Sequence, residues 1–273
     1  MFNVIILTPI KKTQYPIIAQ CISPDVFQEK TLEQINNLPI WIGNKRRILS
    51  DLFKIEKTTE NSPSIIINGD VSQVRRIGWG MTQGEIVVNG NAGMHLGKKM
   101  SGGKIVVNGN AEGWAGSEMK GGLLEIKGDA GDYLGSPYRG STIGMRKGKI
   151  VVHGNVGSDA AVHMKSGLIK IHGNSGPFMG FRMTGGVIHI QKDAGTRLGA
   201  CMTGGKIVVS GVLEDMLPTF AIEFIKGKVK IELGDKAIGP FFVFLGDLAE
   251  NGRGKLFISK EKNPQLSQYE RFL

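Results

Sequence analysis

The chain has 273 residues, 40 of them glycine, and a formal net charge of +10. This length provides for one large domain or two small ones with an ample apolar core, and the fixed spacing of the glycines favours a regular architecture over disorder. The positive charge predicts an acidic partner. Because the cations are spread along the chain without an aromatic-interleaved basic patch, a protein or an anionic ligand is favoured over nucleic acid.

The cysteine content and the N-terminal sequence indicate the cellular location of the protein. Cys21 and Cys201 are too few for a disulfide framework and lack the CxxC spacing of zinc or iron–sulfur sites. The opening MFNVIILTPIKK has neither the basic region of a signal peptide nor an apolar run long enough to span a membrane. We therefore expect a soluble cytoplasmic protein that contacts no membrane.

Residues 1–63 do not repeat and predict a small α+β segment that caps the first repeat. Strands are predicted over residues 2–10 (FNVIILTPI) and 15–22 (YPIIAQCI). Ser23 followed by Pro24 has the form of a helix start, which predicts a helix continuing through VFQEKTLEQI. Residues 49–53 are predicted to form a second short helix or a turn.

Residues 64–212 carry a short repeat. The phrase G-x-x-M-x-G-G-x-I-x-V-x-G, as in Gly97–Gly109, recurs in five steps of 19 residues and one of 26. The methionines in register are Met81, Met100, Met119, Met145, Met164, Met183 and Met202. A fixed period with a strand in every copy predicts a solenoid of parallel strands about 4.8 Å apart.

When the repeats are aligned at their methionines, each column of equivalent residues indicates whether its side chains are buried or exposed. Two columns contain only large aliphatic residues, as at Ile105 and Val107, and the columns between them are mixed, which is the pattern of a strand with one buried face. The methionines are predicted to form a third internal ladder, since an unbranched thioether fills irregular gaps. One column is all glycine: Gly84, Gly103, Gly122, Gly148, Gly167, Gly186 and Gly205. It predicts positive φ or a close approach of successive repeats.

Two departures from the repeat are informative. A second glycine column is interrupted by Lys192, where we expect some backbone strain. Seven extra residues lie in the stretch GSPYRGSTIG (135–144), and an insertion in a solenoid loops outward, often on the binding face. Pro137, Tyr138 and Arg139 are therefore candidates for a partner contact, and a solvated loop is the alternative.

The sequence contains few candidates for chemistry. His153 and His172 occupy one outward column in adjacent repeats, but that column offers no obvious further metal ligands, so a polar ladder is favoured over a metal site. Asp70, Asp129 and Asp193 follow corner positions and are expected to cap their own turns. Glycine-rich corners such as 90–97 lack the strand-then-helix context of a dinucleotide site. We therefore predict no catalytic, cofactor-binding or metal-binding residue.

Beyond residue 212 the period decays. Residues 213–273 include GKVKIELG (Gly227–Gly234), FFVFLGDL (241–248) and GKLFIS (Gly254–Ser259). We interpret them as degenerate repeats followed by a C-terminal cap, continuous with the repeat region as one domain.

The repeats, with their GDAGxxLG corners, resemble the C-terminal β-helix of glutamate synthase. They resemble more closely the C subunit of formylmethanofuran dehydrogenase, the tungsten or molybdenum enzyme of methanogenic archaea. INGDVSQVRRIG (Ile67–Gly78), the seven copies ending at Gly211 and the SPDVF…IWIGN…DLF stretch (Ser23–Phe53) carry this resemblance. It covers nearly the whole chain and implies a right-handed parallel β-helix.

The resemblance implies a non-catalytic structural subunit of a hetero-oligomer that reversibly reduces CO2 with methanofuran to formylmethanofuran, the first step of methanogenesis from CO2. Implied partners are a metallopterin subunit similar to formate dehydrogenase, an amidohydrolase-like subunit and iron–sulfur subunits. Those partners are expected to hold the tungsten or molybdenum pterin, a binuclear metal site and the iron–sulfur clusters, and this chain none.

Two alternatives remain at the level of sequence. The first is the C subunit of a formyltransferase/hydrolase complex that acts on a formylated furan carrier without redox chemistry; the high isoleucine and lysine content favours a methanogen enzyme over it. The second is a hexapeptide-repeat acyltransferase, which is disfavoured because a period of 19 residues is not divisible by six.

Overall fold

The computed structural model describes residues 2–11, 13–60 and 63–273, and it shows a mostly β protein, as predicted. The strands are β1 (Phe2–Pro9), β2 (Ile17–Ile18), β3 (Pro39–Ile42), β4 (Lys45–Ile48), β5 (Phe53–Glu60), β6 (Ile65–Asn68), β7 (Val74–Arg75), β8 (Glu85–Asn89), β9 (Lys104–Val107), β10 (Lys120–Ile126), β11 (Lys147–Val152), β12 (Leu168–Ile171), β13 (Val187–Ile190), β14 (Lys206–Val209), β15 (Ala221–Glu232), β16 (Asp235–Gly246) and β17 (Gly254–Ser259). The α-helices are α1 (Pro24–Phe27) and α2 (Leu32–Asn36), and 3-10 turns cover Leu49–Asp51, Leu248–Glu250 and Pro264–Phe272.

One sheet of thirteen strands organises the molecule, in the order β15-β16-β17-β14-β13-β12-β11-β10-β9-β8-β6-β1-β5. All neighbours from β1 and β6 through to β14 and β17 are parallel, whereas β5, β16 and β15 are antiparallel additions at the two ends. A second sheet has the order β4-β3-β2-β7. Each repeat therefore contributes one strand to a long parallel sheet.

The register places like residues side by side. Ile86 of β8 pairs with Ile105 of β9, which pairs with Leu124 of β10, and the same column continues to Ile207 of β14. Both aliphatic columns and all seven methionines have 0% exposure. Full burial of each such side chain contributes roughly 1.5–3 kcal/mol, so these three ladders dominate the stability of the repeat region.

Successive repeats also pair at a second place, outside the strands of the large sheet. Single parallel bridges join Val71, Ala92, Ala111, Ala130, Val156, Ser175, Ala194 and Leu213 in succession. Beside this line, asparagine and aspartate side chains accept from the backbone N–H of the following repeat, as Asn91 does from Asn110 at 2.9 Å. Successive repeats are therefore fixed to each other at two separate places.

The expectation that corner aspartates cap their own turns is correct only for Asp70, whose carboxylate accepts from the Ser72 N–H at 3.0 Å. Asp129 accepts from the N–H of Asn155 in the following repeat at 2.6 Å. Asp193 does the same with Val212 at 2.8 Å. These carboxylates therefore cross-link successive repeats instead of capping their own turns.

The all-glycine column combines two constraints. All seven residues have positive φ, between 73° and 99°. A Cβ atom added at Gly122 would lie 2.7 Å from Met100 Cε and 2.8 Å from the carbonyl oxygen of Gly102. Glycine is therefore required there both for the left-handed backbone and for the close approach of the preceding repeat.

The expectation of strain at Lys192 is wrong, because its backbone lies outside the left-handed region. Glycine occupies the other positions of this column for space: a Cβ at Gly173 would lie 2.4 Å from the carbonyl oxygen of Gly154. The Gly173 N–H lies 3.0 Å from that oxygen, and the Lys192 N–H lies 3.3 Å from the Gly173 oxygen.

The N-terminal segment differs from its prediction in its strands and in its helix. The strand predicted over residues 15–22 is only Ile17–Ile18, and β3, β4 and β5 were not predicted. The single predicted helix is two short ones. Thr31 begins α2 with a capping box: its side chain accepts from the Gln34 N–H, and the Gln34 side chain accepts from the Thr31 N–H. This T-x-x-Q signal starts a new helix and separates it from α1. Strand β1 pairs with β6 on one side and β5 on the other, so the segment covers the first strand of the repeat region.

The interpretation of residues 227–248 as degenerate repeats is wrong. Strands β15 and β16 form a long antiparallel hairpin whose turn contains Gly234 at φ +80°. Only β17 continues the parallel sheet, with Leu256 beside Ile207 of β14. Alternating apolar residues look alike in parallel and antiparallel strands, so the pattern of GKVKIELG did not reveal the direction of pairing.

Within the described part of the chain, none of the helices is long and apolar enough to cross a bilayer.

Replacement of a glycine in the left-handed column tests the fold. Gly122→Ala is expected to lower the free energy of unfolding by about 2 kcal/mol or more, because it adds left-handed strain and a contact with backbone atoms. Gly227→Ala is the matched control, since no atom lies within 4 Å of its added Cβ. Urea unfolding of both variants measures the difference, and equal stability would contradict the assigned role of the column.

Candidate partner interface

The seven-residue insertion is anchored at its start by a buried serine. Ser136 is fully buried, and its hydroxyl donates to the carbonyl oxygen of Asp159 at 2.6 Å and accepts from the Val162 N–H at 2.9 Å. Both partners belong to the next repeat. The residues that follow are therefore directed outward from a fixed point between β10 and β11.

Tyr138 connects the insertion to the body of the protein, although its side chain is 42% exposed. Its backbone N–H donates to Glu118 Oε1 at 3.4 Å. Its ring lies edge-on to His95 at 5.1 Å and to Trp114 at 5.8 Å, measured between ring centroids. Of the predicted contact residues, Arg139 is exposed and Pro137 is half-buried.

An aromatic column lies beneath Tyr138. His95, Trp114 and Tyr133 occupy the same position of three successive repeats, each with φ between 60° and 63°. The Trp114 and Tyr133 rings stack at 4.5 Å with 9° between their planes, and His95 lies 5.6 Å from Trp114. The spacing of parallel repeats matches that of stacked rings, so the backbone sets this geometry.

The same column continues in both directions with Arg76, Asp159, Phe178 and Arg197, all at positive φ. This column was not among the residues predicted from the sequence. Left-handed backbone at aromatic and arginine residues is uncommon, and no residue-type rule predicts it. Alignment on the methionines does place these residues in one column, which is the signal that could have revealed them.

Cations surround the aromatic residues. Arg76 lies over the Trp79 ring at 4.7 Å, and Lys98 Nζ lies 5.0 Å from the centre of the Trp79 ring and 4.6 Å from that of Tyr138. Lys98 is 6% exposed and pairs with Glu118 at 3.3 Å. Burial works against ionisation of Glu118, but the charge and hydrogen bond of Lys98 outweigh it and lower the pKa of this carboxyl.

His95 is a neutral member of the cluster. It is 8% exposed, and its Nδ1 has no hydrogen-bond partner among the described residues. Burial, together with the nearby charges of Lys98 and Arg76, lowers its pKa to about 4. At neutral pH the uncharged ring therefore lies in the column without adding to the positive charge.

The outward histidines of the repeats form a ladder rather than a centre for chemistry. The His153 and His172 rings stack at 4.9 Å, with 15° between their planes. His153 Nε2 lies 2.9 Å from Glu125 Oε1, and His172 Nδ1 lies 2.9 Å from Gln191 Oε1. In the described part of the chain, no group of three or more His, Cys, Asp or Glu side chains is placed to hold a metal ion.

Tyrosine, tryptophan and arginine provide most of the binding energy at many protein interfaces. Here Trp79, Trp114, Tyr133 and Tyr138 lie together with Arg76 on one face, held by stacking and by a buried ion pair. These are the residue types expected of a surface that recognises another protein.

Comparison with known proteins identifies relatives over part of the chain. The chain is 43% identical over 96 residues to the C subunit of the tungsten-containing formylmethanofuran dehydrogenase 2 of Methanothermobacter wolfeii. It is 40% identical over 92 residues to the C subunit of the molybdenum-containing formylmethanofuran dehydrogenase 1 of Methanothermobacter marburgensis. Each alignment covers 34% of this chain, and the two cover 36% and 23% of the respective relatives. No family model matches the chain.

A solved structure extends the similarity to nearly the whole chain. A chain of the formyltransferase/hydrolase complex FhcABCD from Methylorubrum extorquens, determined with methylofuran, superposes with a TM-score of 0.82 at 27% identity. The superposition covers 93% of this chain and 99% of that one. The class of protein is therefore that of a mostly β chain similar to components of hetero-oligomeric complexes.

The homologues themselves are named more narrowly. They are the C subunits of formylmethanofuran dehydrogenases, of both the molybdenum and the tungsten type, which confirms the resemblance seen in the sequence. The matched region spans about a third or less of the length of these relatives. Together with the structural neighbour, they are compatible with both the dehydrogenase and the formyltransferase/hydrolase function.

The lowered pKa of His95 predicts a pH dependence of stability. Because this pKa is about 4, below the usual 6.5, the unfolded chain binds the proton more readily, and stability falls as the pH drops through that window. We expect His95→Phe to reduce the loss of stability between pH 7 and pH 4.5 by roughly 1–2 kcal/mol. Phenylalanine preserves the ring, as Phe178 does in the same column.

Urea unfolding at both pH values measures the effect. His95→Asn, a non-titrating residue that tolerates left-handed φ, should reduce the pH dependence equally although it lacks the ring. A pH dependence unchanged from wild type in both variants would contradict this assignment.

Proposed function

We propose that this chain is a non-catalytic structural subunit of a formylmethanofuran dehydrogenase complex, which reversibly reduces CO2 with methanofuran to formylmethanofuran. Identity of about 40% to the C subunits of that enzyme is the observation that carries the proposal. The partners would be a metallopterin subunit, an amidohydrolase-like subunit and iron–sulfur subunits, all in the cytoplasm. The tungsten or molybdenum pterin, the iron–sulfur clusters and a binuclear metal site would lie in those partners.

We further propose that residues 64–212 form a right-handed parallel β-helix. Two observations support this architecture. Consecutive repeats pair in parallel in the main sheet, and they pair again along the separate line of bridges from Val71 to Leu213. A chain that meets its neighbours twice in every turn of 19 residues would wind around an internal core. The fully buried methionines would occupy that core.

A structural role agrees with where the polar groups lie. Four of the five histidines, His95, His153, His172 and His189, contact aromatic or histidine rings or bond to neighbouring side chains. The corner carboxylates of Asp129 and Asp193 bond to backbone N–H groups. A stiff body of this kind would hold catalytic subunits at a fixed separation. The aromatic face with Pro137, Tyr138 and Arg139 would be one of its contacts.

The second candidate is the C subunit of a formyltransferase/hydrolase complex that acts on a formylated furan carrier without redox chemistry. The superposition on a chain of such a complex favours it, because it covers 93% of this chain. The dehydrogenase and the formyltransferase/hydrolase would differ in the other subunits of the complex, whereas the role of this chain would be the same in both.

Purification of the chain from its native cells with an affinity tag tests both proposals. For the dehydrogenase we expect a metallopterin protein and iron–sulfur proteins to co-purify, tungsten or molybdenum in the eluate, and no activity in the chain expressed alone. Partners without pterin or iron–sulfur clusters would establish the second candidate instead. A chain that is active by itself would contradict both.

The aromatic face gives a sharper test of assembly. We expect Tyr138→Ala combined with Arg139→Ala to reduce partner recovery at least about tenfold, since exposed Tyr and Arg side chains are frequent binding hot spots. The control is Tyr15→Ala with Arg47→Ala, another exposed Tyr–Arg pair in the N-terminal segment. Full recovery with the first variant would remove this face from the interface.

A further inference from the structure

The tip of the β15–β16 hairpin lies against the outside of the parallel sheet. Val229, Ile231 and Ala237 are buried on its inner side. They pack in one cluster with outward-facing residues of the sheet, including Leu168 and Val208. The hairpin tip therefore has one side attached to the protein and one side facing solvent.

The two carboxylates near the turn both point to the attached side. Glu232 pairs with Lys149 of β11 at 2.5 Å, and Asp235 pairs with Lys170 of β12 at 2.7 Å. The hydrogen bond from Lys170 lowers the pKa of Asp235. These acids are thus used in fixing the hairpin to the sheet and leave the solvent side without negative charge.

The solvent side carries only cations and apolar residues. We define the hairpin face by Lys226, Lys228, Lys230 and Lys236 together with Leu233 and Ile238. Leu233 is 92% exposed and Ile238 is 68% exposed. Among the described residues, no carboxylate lies within ion-pair distance of these four lysines.

The lysines of the hairpin face lie close enough together to repel one another, which lowers the stability of the hairpin. Lys230 lies directly opposite Lys236 in the hairpin, and like charges in that position destabilise a strand pair. Lys206 reaches the same place, where its ammonium donates to the carbonyl oxygen of Lys230. Burial and the charges of Lys226 and Lys230 lower the pKa of Lys206. An acidic ligand would relieve this repulsion.

The positive charge of the hairpin face determines which kind of partner could bind to it. A second copy of the chain would bring lysines against lysines, so self-association through this face is disfavoured. The nearby Phe224 ring is already covered by Lys255 Nζ, 5.3 Å from its centre, which disfavours the stacking of bases and hence single-stranded nucleic acid. Lysines on an exposed strand also prevent aggregation, but that role does not account for two large exposed apolar side chains beside them.

We propose that the hairpin face is a docking site for an acidic protein segment, with one or two apolar residues among its carboxylates, from a partner subunit. The partner's carboxylates would bind the four lysines, and its apolar residues would cover Leu233 and Ile238. This site is separate from the aromatic face around Tyr138, and it rests on the proposed function for the existence of partner subunits.

The test uses the tagged chain in its assembled complex. In the triple variant Lys226→Glu, Lys228→Glu and Lys230→Glu we expect recovery of one partner to fall roughly tenfold or more, because attraction becomes repulsion. Recovery with the wild-type chain should fall steeply between about 50 and 300 mM salt, as expected for exposed ion pairs. A zero-length carboxyl–amine cross-linker should join Lys228 or Lys230 to an aspartate or glutamate of that partner.

The matched control reverses the same number of charges on another exposed strand, with Lys45→Glu, Arg46→Glu and Arg47→Glu in β4. Thermal unfolding confirms that both variants fold, and the milder Lys→Gln triple replaces the first if it does not. Equal recovery with wild type and hairpin variant would overturn the docking site and leave the proposed function standing. A wild-type chain that recovers no partner would overturn both. Vesicles with phosphatidylserine, or duplex DNA, bound by the wild type and not by the hairpin variant would overturn assignment to a protein.

Discussion

Parallel pairing of consecutive repeats in strict register is the constraint on which the rest of the structure depends. It places each residue beside the equivalent residue of the preceding repeat. A residue type that recurs at one position of the repeat therefore forms a continuous row of like side chains along the molecule. An aliphatic column becomes a continuous buried ladder, and an asparagine column becomes a chain of hydrogen bonds. The glycine column is a consequence of the same closeness, because the preceding repeat leaves no room for a side chain at positions such as Gly122.

The same register also builds the surface. The rings of His95, Trp114 and Tyr133 lie beside one another because their backbones are one repeat apart, and the insertion adds Tyr138 across His95 and Trp114. At the C-terminal end the hairpin uses its own acids against sheet lysines and turns its own lysines outward. The protein thus presents two different faces, one aromatic and one basic with exposed apolar residues. Both are suited to contacts with other proteins.

The placement of the polar groups supports the structural role that we propose for this chain. Buried polar groups such as the Lys98–Glu118 pair and the Ser136 hydroxyl are engaged in holding repeats together. His95 differs from them, since its Nδ1 is buried without a partner among the described residues and its low pKa keeps it neutral. At neutral pH His95 is therefore an uncharged, buried member of the aromatic column.

The sequence by itself determined the period, the buried columns and the kinship, because each depends on residue type recurring at fixed spacing. Seven methionines and seven glycines in register suffice to place the core and the left-handed corners. It did not determine the direction of β15 and β16, since alternation is the same in parallel and antiparallel strands. Nor did it show that Tyr138 lies on His95 or that the acids of the hairpin point inward. Those contacts join residues that are distant in sequence and do not occupy equivalent positions of the repeat. Only the tertiary structure therefore decides them.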